Sequence, residues 1–312
     1  RPESRAMWWR GGATHARARG LFGSRKRLCL GGAAAAVSLS CGVGGREYRG
    51  HVLLCQDKPP RPAPVTIHLT GFGPFGGVQD NPTSVVCRVL RDLIRDGKAP
   101  QGVSPELLHE FADSGVAVRG LDALEVSASA CRAGVRAILA DFVDGSSESD
   151  ARAIVHLGVS SMSQQVNLEC RGFNVADFRI PDVSGWQPSG EAIVAGASPQ
   201  LYTALALPEI LGEMHDRGVD CAISTDPGRY ICNYIFYSSL HAAQPSGIPV
   251  LFVHVPAFTR MDQAAQVTAV LCVLLAVAGQ LRRRRQQRQG SGSSLPALRG
   301  GKAITETSRP LG

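Results

Sequence analysis

One cysteine of the sequence lies where a nucleophile would need to be. Cys232 follows the turn-forming pair Pro227-Gly228 and opens the segment 233–243, whose apolar spacing predicts a helix. A free thiol has a pKa of about 8.5, so a nucleophilic cysteine needs an imidazolium or the positive end of a helix dipole to stabilise its thiolate. The local sequence offers Cys232 a helix N-terminus. The alternative is a buried, reduced thiol, the ordinary state of a cysteine in an apolar run.

A histidine further along the chain could serve as the base for this thiol. His254 lies in the apolar run 250–255 and precedes Pro256. A histidine in a strand is commonly a core residue with one satisfied hydrogen bond. At the carboxyl end of a strand facing Cys232, however, it could accept the thiol proton and later protonate a leaving amine. The pair would then perform acyl transfer.

A glycine-rich loop at 71–77 (GFGPFGG) formally matches the dinucleotide-binding pattern G-x-G-x-x-G. A pyrophosphate site needs small residues and an immediate helix N-terminus. Here Phe72, Phe75 and a proline fill the variable positions, and the next helix is expected to begin only at Asn81-Pro82, with Asn81 as its cap. Nucleotide binding is therefore disfavoured. Two interpretations stay open, a tight turn with both aromatic rings in the core or a pair of aromatic walls around a small flat ligand.

The elements that must position these residues alternate between short β-branched runs and longer helical stretches. The predicted strands are 65–69, 153–157, 221–225 and 250–255, and the predicted helices are 84–96, 127–142, 199–217, 233–243 and 261–281. Strands without polar alternation imply burial on both faces, and their alternation with helices implies a mainly parallel sheet. Residues 64–281 are thus predicted to form one α/β domain, a three-layer α/β/α sandwich. Its site should gather at the carboxyl ends of the strands.

Both ends of the chain are basic, in contrast to the balanced middle. The net charge of the 312 residues is +7, and eight Arg or Lys side chains lie between Glu3 and Glu47 with no acidic residue among them. Arg282–Arg285 form a second basic run. The excess charge belongs to these ends and does not indicate a nucleic-acid-binding domain. Residues 1–63 are predicted to be a disordered basic and Pro-rich extension, and residues 282–312 a disordered basic tail.

The cysteines and the apolar segments bear on the compartment. Nine cysteines, irregularly spaced and without a C-x-x-C pair, indicate neither a disulfide framework nor a zinc site, so a reduced, intracellular state is expected. The segment 28–43 is apolar, follows Arg25-Lys26-Arg27 and loosely resembles a signal or transit segment. The run 267–279 is too short to cross about 30 Å of hydrocarbon as a helix, and a buried terminal helix explains it better.

Four ordered blocks of the sequence resemble the pyroglutamyl-peptidase I family of cysteine peptidases. They are TGFGPFGG at 70–77 with NPT at 81–83, GVSSM at 158–162 followed by VNLE at 166–169 and FNVADFRIPD at 173–182, DPGRYIC at 226–232, and FVHVP at 252–256. The resemblance covers about residues 65–280. It implies an open α/β/α sandwich, the architecture that the pattern of strands and helices also predicts.

The resemblance implies a catalytic set of three residues. Cys232 matches the nucleophile, His254 the base, and Glu169 the acidic partner that would hold the imidazole in the right tautomer. Without the resemblance, Glu169 would be interpreted as a solvated surface carboxylate. The implied activity is that of an omega-peptidase, which hydrolyses the N-terminal pyroglutamyl residue from peptides through a thioester.

The resemblance also implies the substrate site and the setting of the enzyme. Phe72, Phe75 and Tyr230 match aromatic positions around the substrate's lactam ring. Because a pyroglutamyl terminus carries no ammonium group, its pocket needs no acidic anchor. Family members are soluble intracellular enzymes without a metal or cofactor, and they are often oligomers. We therefore expect a cytoplasmic protein that acts on peptides with an N-terminal pyroglutamate, binds no nucleic acid or membrane, and is compatible with a homo-oligomer.

Three departures from the family pattern support an alternative function. Pro227 stands where the family usually has alanine, Cys170 stands where a basic residue is common, and residues of about 101–122 resemble an insertion. Because Pro227 could disturb the loop that presents the nucleophile, the alternative is a non-catalytic relative, an α/β binding or regulatory domain. A nucleic-acid-binding protein that uses its basic ends is a third alternative.

Overall fold

The computed structural model describes residues 37–43, 46–52, 62–77, 79–144 and 151–291, and the chain divides into two units, 1–59 and 60–312. In the first unit, β1 (Val37–Val43) pairs antiparallel with β2 (Arg46–Val52). This hairpin differs from the disorder predicted for residues 1–63. Apolar and polar residues alternate from Val37 to Val43, and the sequence places Gly44-Gly45 between the strands, a pair that suits tight hairpins. The remainder of the predicted extension before residue 62, with residues 28–36 of the signal-like segment, lies outside the described residues.

The second unit contains a six-stranded sheet and a small two-stranded one. The strands are β3 (Val65–Phe72), β4 (Val116–Leu124), β5 (Ala151–Ser160), β6 (Val166–Glu169), β7 (Arg171–Phe173), β8 (Gln200–Tyr202), β9 (Cys221–Ser224) and β10 (Val250–Pro256). The large sheet has the order β4-β3-β5-β10-β6-β9, while β7 and β8 form an antiparallel pair. Strands β4, β3, β5 and β10 are mutually parallel, and β6 and β9 run antiparallel to them. The predicted mainly parallel sheet is confirmed.

Helices cover both faces of the large sheet. They are α1 (Pro82–Asp96), α2 (Pro105–Asp113), α3 (Ala128–Asp144), α4 (Leu207–Asp216), α5 (Ile231–Ala243) and α6 (Gln263–Ser291). One apolar core lies between the sheet and α1, α2, α4 and α6, and a second lies between the other face and the pair α3 and α5. Alternate residues of a strand enter opposite cores, as Leu251 and Phe252 do in β10. The predicted three-layer α/β/α sandwich is confirmed.

The segment that resembles an insertion is part of the domain. Residues 105–113 form α2, and β4 is the edge strand beside β3. Sequence patterns did not predict β4, because polar residues interrupt its apolar alternation and its course is irregular. Gly120 and Leu121 have φ of 74° and 62°, and the register with β3 shifts between Leu69 and Thr70. Such bulges are common in edge strands.

Two helix boundaries differ from the sequence prediction. Helix α4 begins at Leu207 rather than at 199, because residues 200–202 pair as β8. Helix α6 continues through the arginine run to Ser291 instead of ending at 281, while residues 292–312 of the predicted tail lie outside the described residues. The stretch 263–289 is long and apolar enough to cross a membrane, but 78% of its apolar window is buried inside the domain. It is a terminal core helix, as its sequence predicts.

Candidate active site

Helix α5 presents Cys232 at its first turn. Tyr230, the residue before the helix, is extended with φ −92° and ψ −159°, and no acidic side chain lies in the first turn. The sulfur therefore lies at the positive end of the helix dipole, which stabilises a thiolate. Of the six cysteines in the described part of the second unit, only Cys232 and Cys170 are partly exposed, and the other four are buried. The helix predicted for 233–243 is confirmed, and it begins two residues earlier, at Ile231.

His254 and Glu169 form a buried pair beside this thiol. His254 Nδ1 lies 2.7 Å from Glu169 Oε1, and the two residues are 7% and 1% exposed. Burial alone would lower the pKa of His254, but the interactions of its ring with the Cys232 side chain and with the Glu169 carboxylate outweigh burial and raise that pKa to about 9. The imidazole is thus held as an imidazolium next to the sulfur, the arrangement that a thiolate nucleophile requires.

The strand-end rule that located the site holds for some of its residues. Phe72 ends β3 and His254 lies near the end of β10, as expected for parallel strands. Glu169 also ends a strand, but β6 runs antiparallel, and Glu169 reaches His254 as a diagonal neighbour across the two strands. Its direct partner in the register is Phe252, whereas that of His254 is Asn167. Cross-strand diagonal neighbours on one face lie within reach of long side chains.

Gly158 makes room for the nucleophile, a function that the sequence analysis did not assign. It lies opposite His254 in the neighbouring strand β5. A Cβ atom added to Gly158 would lie 2.5 Å from the Phe252 ring and 3.0 Å from Cys232 Sγ. Only glycine therefore lets the Phe252 ring and the sulfur approach the sheet this closely.

A small pocket opens beside the sulfur and contains all three aromatic residues proposed for substrate binding. It is lined by Phe72, Phe75, Asn81, Val126, Val159, Tyr230, Ile231 and Cys232. Apart from Cys232, no side chain that lines the pocket is an acidic or basic group, so the pocket suits a flat, neutral group. Phe72 is 3% exposed and belongs to the core as well, while Phe75 and Tyr230 are half-buried. Phe72 thus belongs to the core turn, and it also lines the pocket that the ligand-wall interpretation requires.

The loop that carries Phe72 and Phe75 is fixed by the start of α1. Asn81 Nδ2 donates to the Gly73 carbonyl at 2.9 Å, and Asn81 Oδ1 caps α1 by accepting from Thr83 N at 3.1 Å. Thr83 Oγ1 in turn accepts from Phe72 N at 2.8 Å. The predicted cap at Asn81 is confirmed, and it also places Asn81 in the pocket wall. The glycines of the loop do not directly precede the helix N-terminus at Pro82. This separation disfavours a nucleotide site, which needs the two to be adjacent.

The segment 176–186 supports Tyr230 from behind. The Phe178 ring packs edge-on against Tyr230 at 4.9 Å and against Trp186 at 5.3 Å, and Tyr230 Oη donates to the Pro181 carbonyl. Asp182 accepts hydrogen bonds from Ala128 N at the start of α3 and from Trp186 N, each at 2.9 Å. These contacts fix the aromatic wall before any ligand arrives.

Asn233 holds the nucleophile helix against β7. It is fully buried, its Oδ1 accepts from Phe173 N at 2.8 Å, and its Nδ2 donates to the Phe173 and Val175 carbonyls. Sequence reasoning missed this residue because a buried asparagine leaves no periodic signal. Its position directly after Cys232 is the only hint that the sequence contains.

Pro227 does not disturb this geometry. It is buried in a turn in which Gly228, at φ 80°, donates its N–H to Asp226 Oδ1 at 3.0 Å. Glycine is the residue that adopts this backbone conformation without strain. Cys232 still lies close enough to His254 to help raise its pKa. The structure thus gives no support to the non-catalytic alternative, for which Pro227 was the main argument.

Comparison with known proteins points to the same chemistry. A family model described as pyroglutamyl peptidase matches residues 137–280. The chain is 31% identical over 226 residues to the pyrrolidone-carboxylate peptidase of Clavibacter michiganensis, covering 68% of this chain and 94% of that protein. It is 30% identical over 190 residues to the enzyme of the same name from Pyrococcus furiosus, covering 60% and 79%.

Solved structures show the same fold. A mutant pyrrolidone carboxyl peptidase from Pyrococcus furiosus superposes with a TM-score of 0.57 at 25% identity, covering 70% of this chain and all of that one. The pyrrolidone carboxyl peptidase of Thermococcus litoralis superposes with a TM-score of 0.56, covering 72% and 96%. The residues matched by the family model lie in the second unit and include Glu169, Cys232 and His254.

Proposed function

The chain belongs to the pyroglutamyl peptidase family and is a cysteine omega-peptidase, and we propose that it removes an N-terminal pyroglutamyl residue from peptides through Cys232, His254 and Glu169. The observation that carries the assignment is the alignment of these three side chains beside an uncharged aromatic pocket. The pocket would hold the lactam ring, and the sulfur would meet the carbonyl attached to it.

The first half of the reaction is acylation. The Cys232 thiolate attacks the carbonyl carbon that joins the pyroglutamyl ring to the next residue, and the carbonyl oxygen becomes an oxyanion. The N–H groups in the first turn of a helix have no intrahelical partner, so the Cys232 N–H is available to stabilise this charge. The His254 imidazolium then donates its proton to the leaving amine as the C–N bond breaks. The shortened peptide departs and a thioester remains on Cys232.

The second half is hydrolysis of the thioester. His254, now neutral, takes a proton from a water molecule, and the resulting hydroxide attacks the thioester carbon. The C–S bond breaks, free pyroglutamate leaves, and the imidazolium–thiolate pair is restored. Glu169 fixes the imidazole through Nδ1, so that Nε2 faces the sulfur in both halves.

The pocket supports the substrate assignment. A pyroglutamyl terminus is small, flat and neutral, so it can be recognised by ring-face contact and amide hydrogen bonds. Phe72, Phe75 and Tyr230 supply aromatic surface. No described carboxylate lines the pocket, whereas a site for an ordinary peptide N-terminus would be expected to offer one to its ammonium group.

We also propose that the enzyme acts on peptides in the cytoplasm. All six cysteines in the described part of the second unit are free, which supports a reducing compartment. The apolar stretch of α6 is mostly buried in the core of the domain, so it does not need a bilayer to bury it.

The test is release of 7-amino-4-methylcoumarin from its pyroglutamyl amide. The parent protein should release the fluorophore, Cys232→Ala should not, and iodoacetamide should label Cys232 fastest among the described cysteines. Cys170 is the matched control, since it is also partly exposed but burial raises the pKa of its thiol. Cleavage of the prolyl amide as fast as the pyroglutamyl amide would contradict the substrate, because the lactam carbonyl would then not be recognised.

A further inference from the structure

The direction in which the leaving peptide must lie follows from the strand order. The aromatic pocket lies at the ends of β3 and β5, through Phe72 and Val159, while His254 lies on the next strand, β10. The pyroglutamyl ring would occupy the pocket, and the leaving amine must lie by the proton donor, His254. The substrate therefore crosses the sheet from β3 toward β6, and the residue after pyroglutamate lies over the end of β10.

One loop of the chain covers this place. Strands β5 and β6 flank β10, so the link between them, residues 161–165, must cross its carboxyl end. The register fixes the crossing point, because Ser160 lies opposite Pro256 and Asn167 lies opposite His254. The loop is therefore anchored on both sides within two residues of the catalytic histidine.

The loop is held in shape by hydrogen bonds of its own. Ser163 N donates to the Ser160 carbonyl at 3.3 Å, and Ser163 Oγ donates to the Gln165 carbonyl at 3.0 Å. Asn167 Nδ2 donates to Ser163 Oγ at 2.7 Å, which ties the loop to the strand beside His254. The turn is thus built before substrate binds.

At its tip the loop exposes a large apolar side chain. Met162 is 86% exposed, the highest value among the large hydrophobic residues of the described chain. Placing a methionine in water forgoes the stabilisation that burial gives. Its flexible thioether side chain adapts to apolar groups of different shape. No charged residue occurs from Gly158 to Asn167, so nothing on the loop itself favours a charged partner.

We propose that Met162 forms a binding site for the side chain of the residue that follows pyroglutamate, and that this site favours apolar side chains. The proposal rests on the proposed peptidase function. Met162, on the 161–165 loop, is the residue that we assign to this subsite. Its side chain would contact the side chain of the bound peptide. Met162 is a specificity residue and takes no part in proton transfer.

The experiment measures kcat/KM for a series of pyroglutamyl dipeptide amides, with leucine, alanine, aspartate or lysine in second place, by separating the released amino-acid amide from the substrate by chromatography and quantifying it. The parent should prefer leucine to alanine by about fivefold, the value of roughly 1 kcal/mol of apolar contact. Met162→Ala should bring this ratio close to one. Met162→Lys should raise the aspartate-to-lysine ratio and Met162→Glu should lower it, each by about threefold, as for exposed charge pairs.

Val143→Lys and Val143→Glu are the matched controls. Val143 is 79% exposed in α3 and takes no part in the site, so these changes should leave both ratios as they are. If the Met162 charge variants keep the parent's aspartate-to-lysine ratio while still releasing the coumarin amine, the subsite is wrong and the peptidase function stands. If the parent cleaves neither substrate class, both proposals fall. If the variants lose their cooperative melting, Met162 is a packing residue and the subsite is again wrong.

Discussion

Glu169 Oε1 and His254 Nδ1 meet at 2.7 Å across two antiparallel strands of a sheet that is otherwise mainly parallel. The contact fixes the imidazole ring, because a bond at Nδ1 leaves Nε2 to face Cys232. The second oxygen of the carboxylate, Oε2, is buried without a hydrogen-bond partner among the described residues. Glu169 therefore directs its one hydrogen bond at the histidine.

In the proposed mechanism the two residues act as one unit, so their substitutions should not add. We expect Glu169→Gln and His254→Ala each to lower kcat by about 10²- to 10⁴-fold, as found when the partners of other catalytic triads are removed. The double variant should be little worse than the worse single one. Glu191→Gln, at an exposed carboxylate, is the control. Fully additive losses in kcat, measured with the coumarin substrate, would show that Glu169 and His254 act separately.

The raised pKa of His254 predicts an alkaline limit to activity. The imidazolium is the proton donor to the leaving amine, and with a pKa of about 9 it is present below that pH and lost above it. The profile of kcat/KM should therefore fall as the pH rises through about 9. In Glu169→Gln the fall should begin at lower pH, because the hydrogen bond and charge of Glu169 help to raise this pKa. An unchanged alkaline limb in that variant would contradict the assignment.

The two aromatic residues of the glycine loop should separate stability from substrate binding. Phe72 is almost fully buried in the core, so Phe72→Ala should destabilise the fold by about 3–5 kcal/mol as well as lowering activity. Phe75 is half-buried, so Phe75→Ala should melt close to the parent yet lose roughly 10²-fold in kcat/KM. Thermal melting and coumarin release, measured side by side, make the comparison. If both variants lose activity only in proportion to stability, neither ring binds the substrate.

Gly158 offers a steric test of the nucleophile's position. In Gly158→Ala the new methyl group would overlap the Phe252 ring, which must move, and would press on Cys232 Sγ at 3.0 Å. We expect a loss in rate that stays below the roughly 10²-fold cost of a displacement of about 1 Å. Gly212→Ala is the control, since nothing lies near a Cβ at this position of α4, and the exchange should stabilise the helix by about 0.5–1 kcal/mol. Full activity in Gly158→Ala would mean that the sulfur does not need its place against the sheet.

Local sequence patterns predicted some residues of the site and gave no indication of the others. Cys232 could be found because a turn and a helix start surround it, and His254 because it ends a buried strand. Glu169 has no such signal, since what matters is its diagonal relation to a strand 85 residues away. Only the resemblance to a family indicated it. Gly158 and Asn233 matter because of contacts with elements that are distant in sequence. The residue pattern of a single segment does not reveal such contacts.

The same limit applies to the fold. Long apolar runs predicted β3, β5 and β10, which are buried on both faces. The edge strand β4 and the strand β6 were missed, because an edge needs little apolar surface and the polar residues of β6 (VNLE) leave it without an apolar run. The direction of β6 and β9 could not be predicted either, since strand direction depends on pairing and leaves no mark on composition.

The place of β10 also has a consequence for how the chain folds. Among the described residues it is the last strand along the chain, yet it lies in the middle of the sheet and pairs with β5 on one side and β6 on the other. Until residues 250–256 leave the ribosome, the nascent sheet is two separate pieces with open edges, and open edges invite pairing with other chains. Insertion of β10 closes the gap and brings His254 to its partners in the same step. Recovery of peptidase activity during refolding should therefore report the final event of folding, and a nascent chain that stalls before residue 250 should depend on a chaperone to stay in solution.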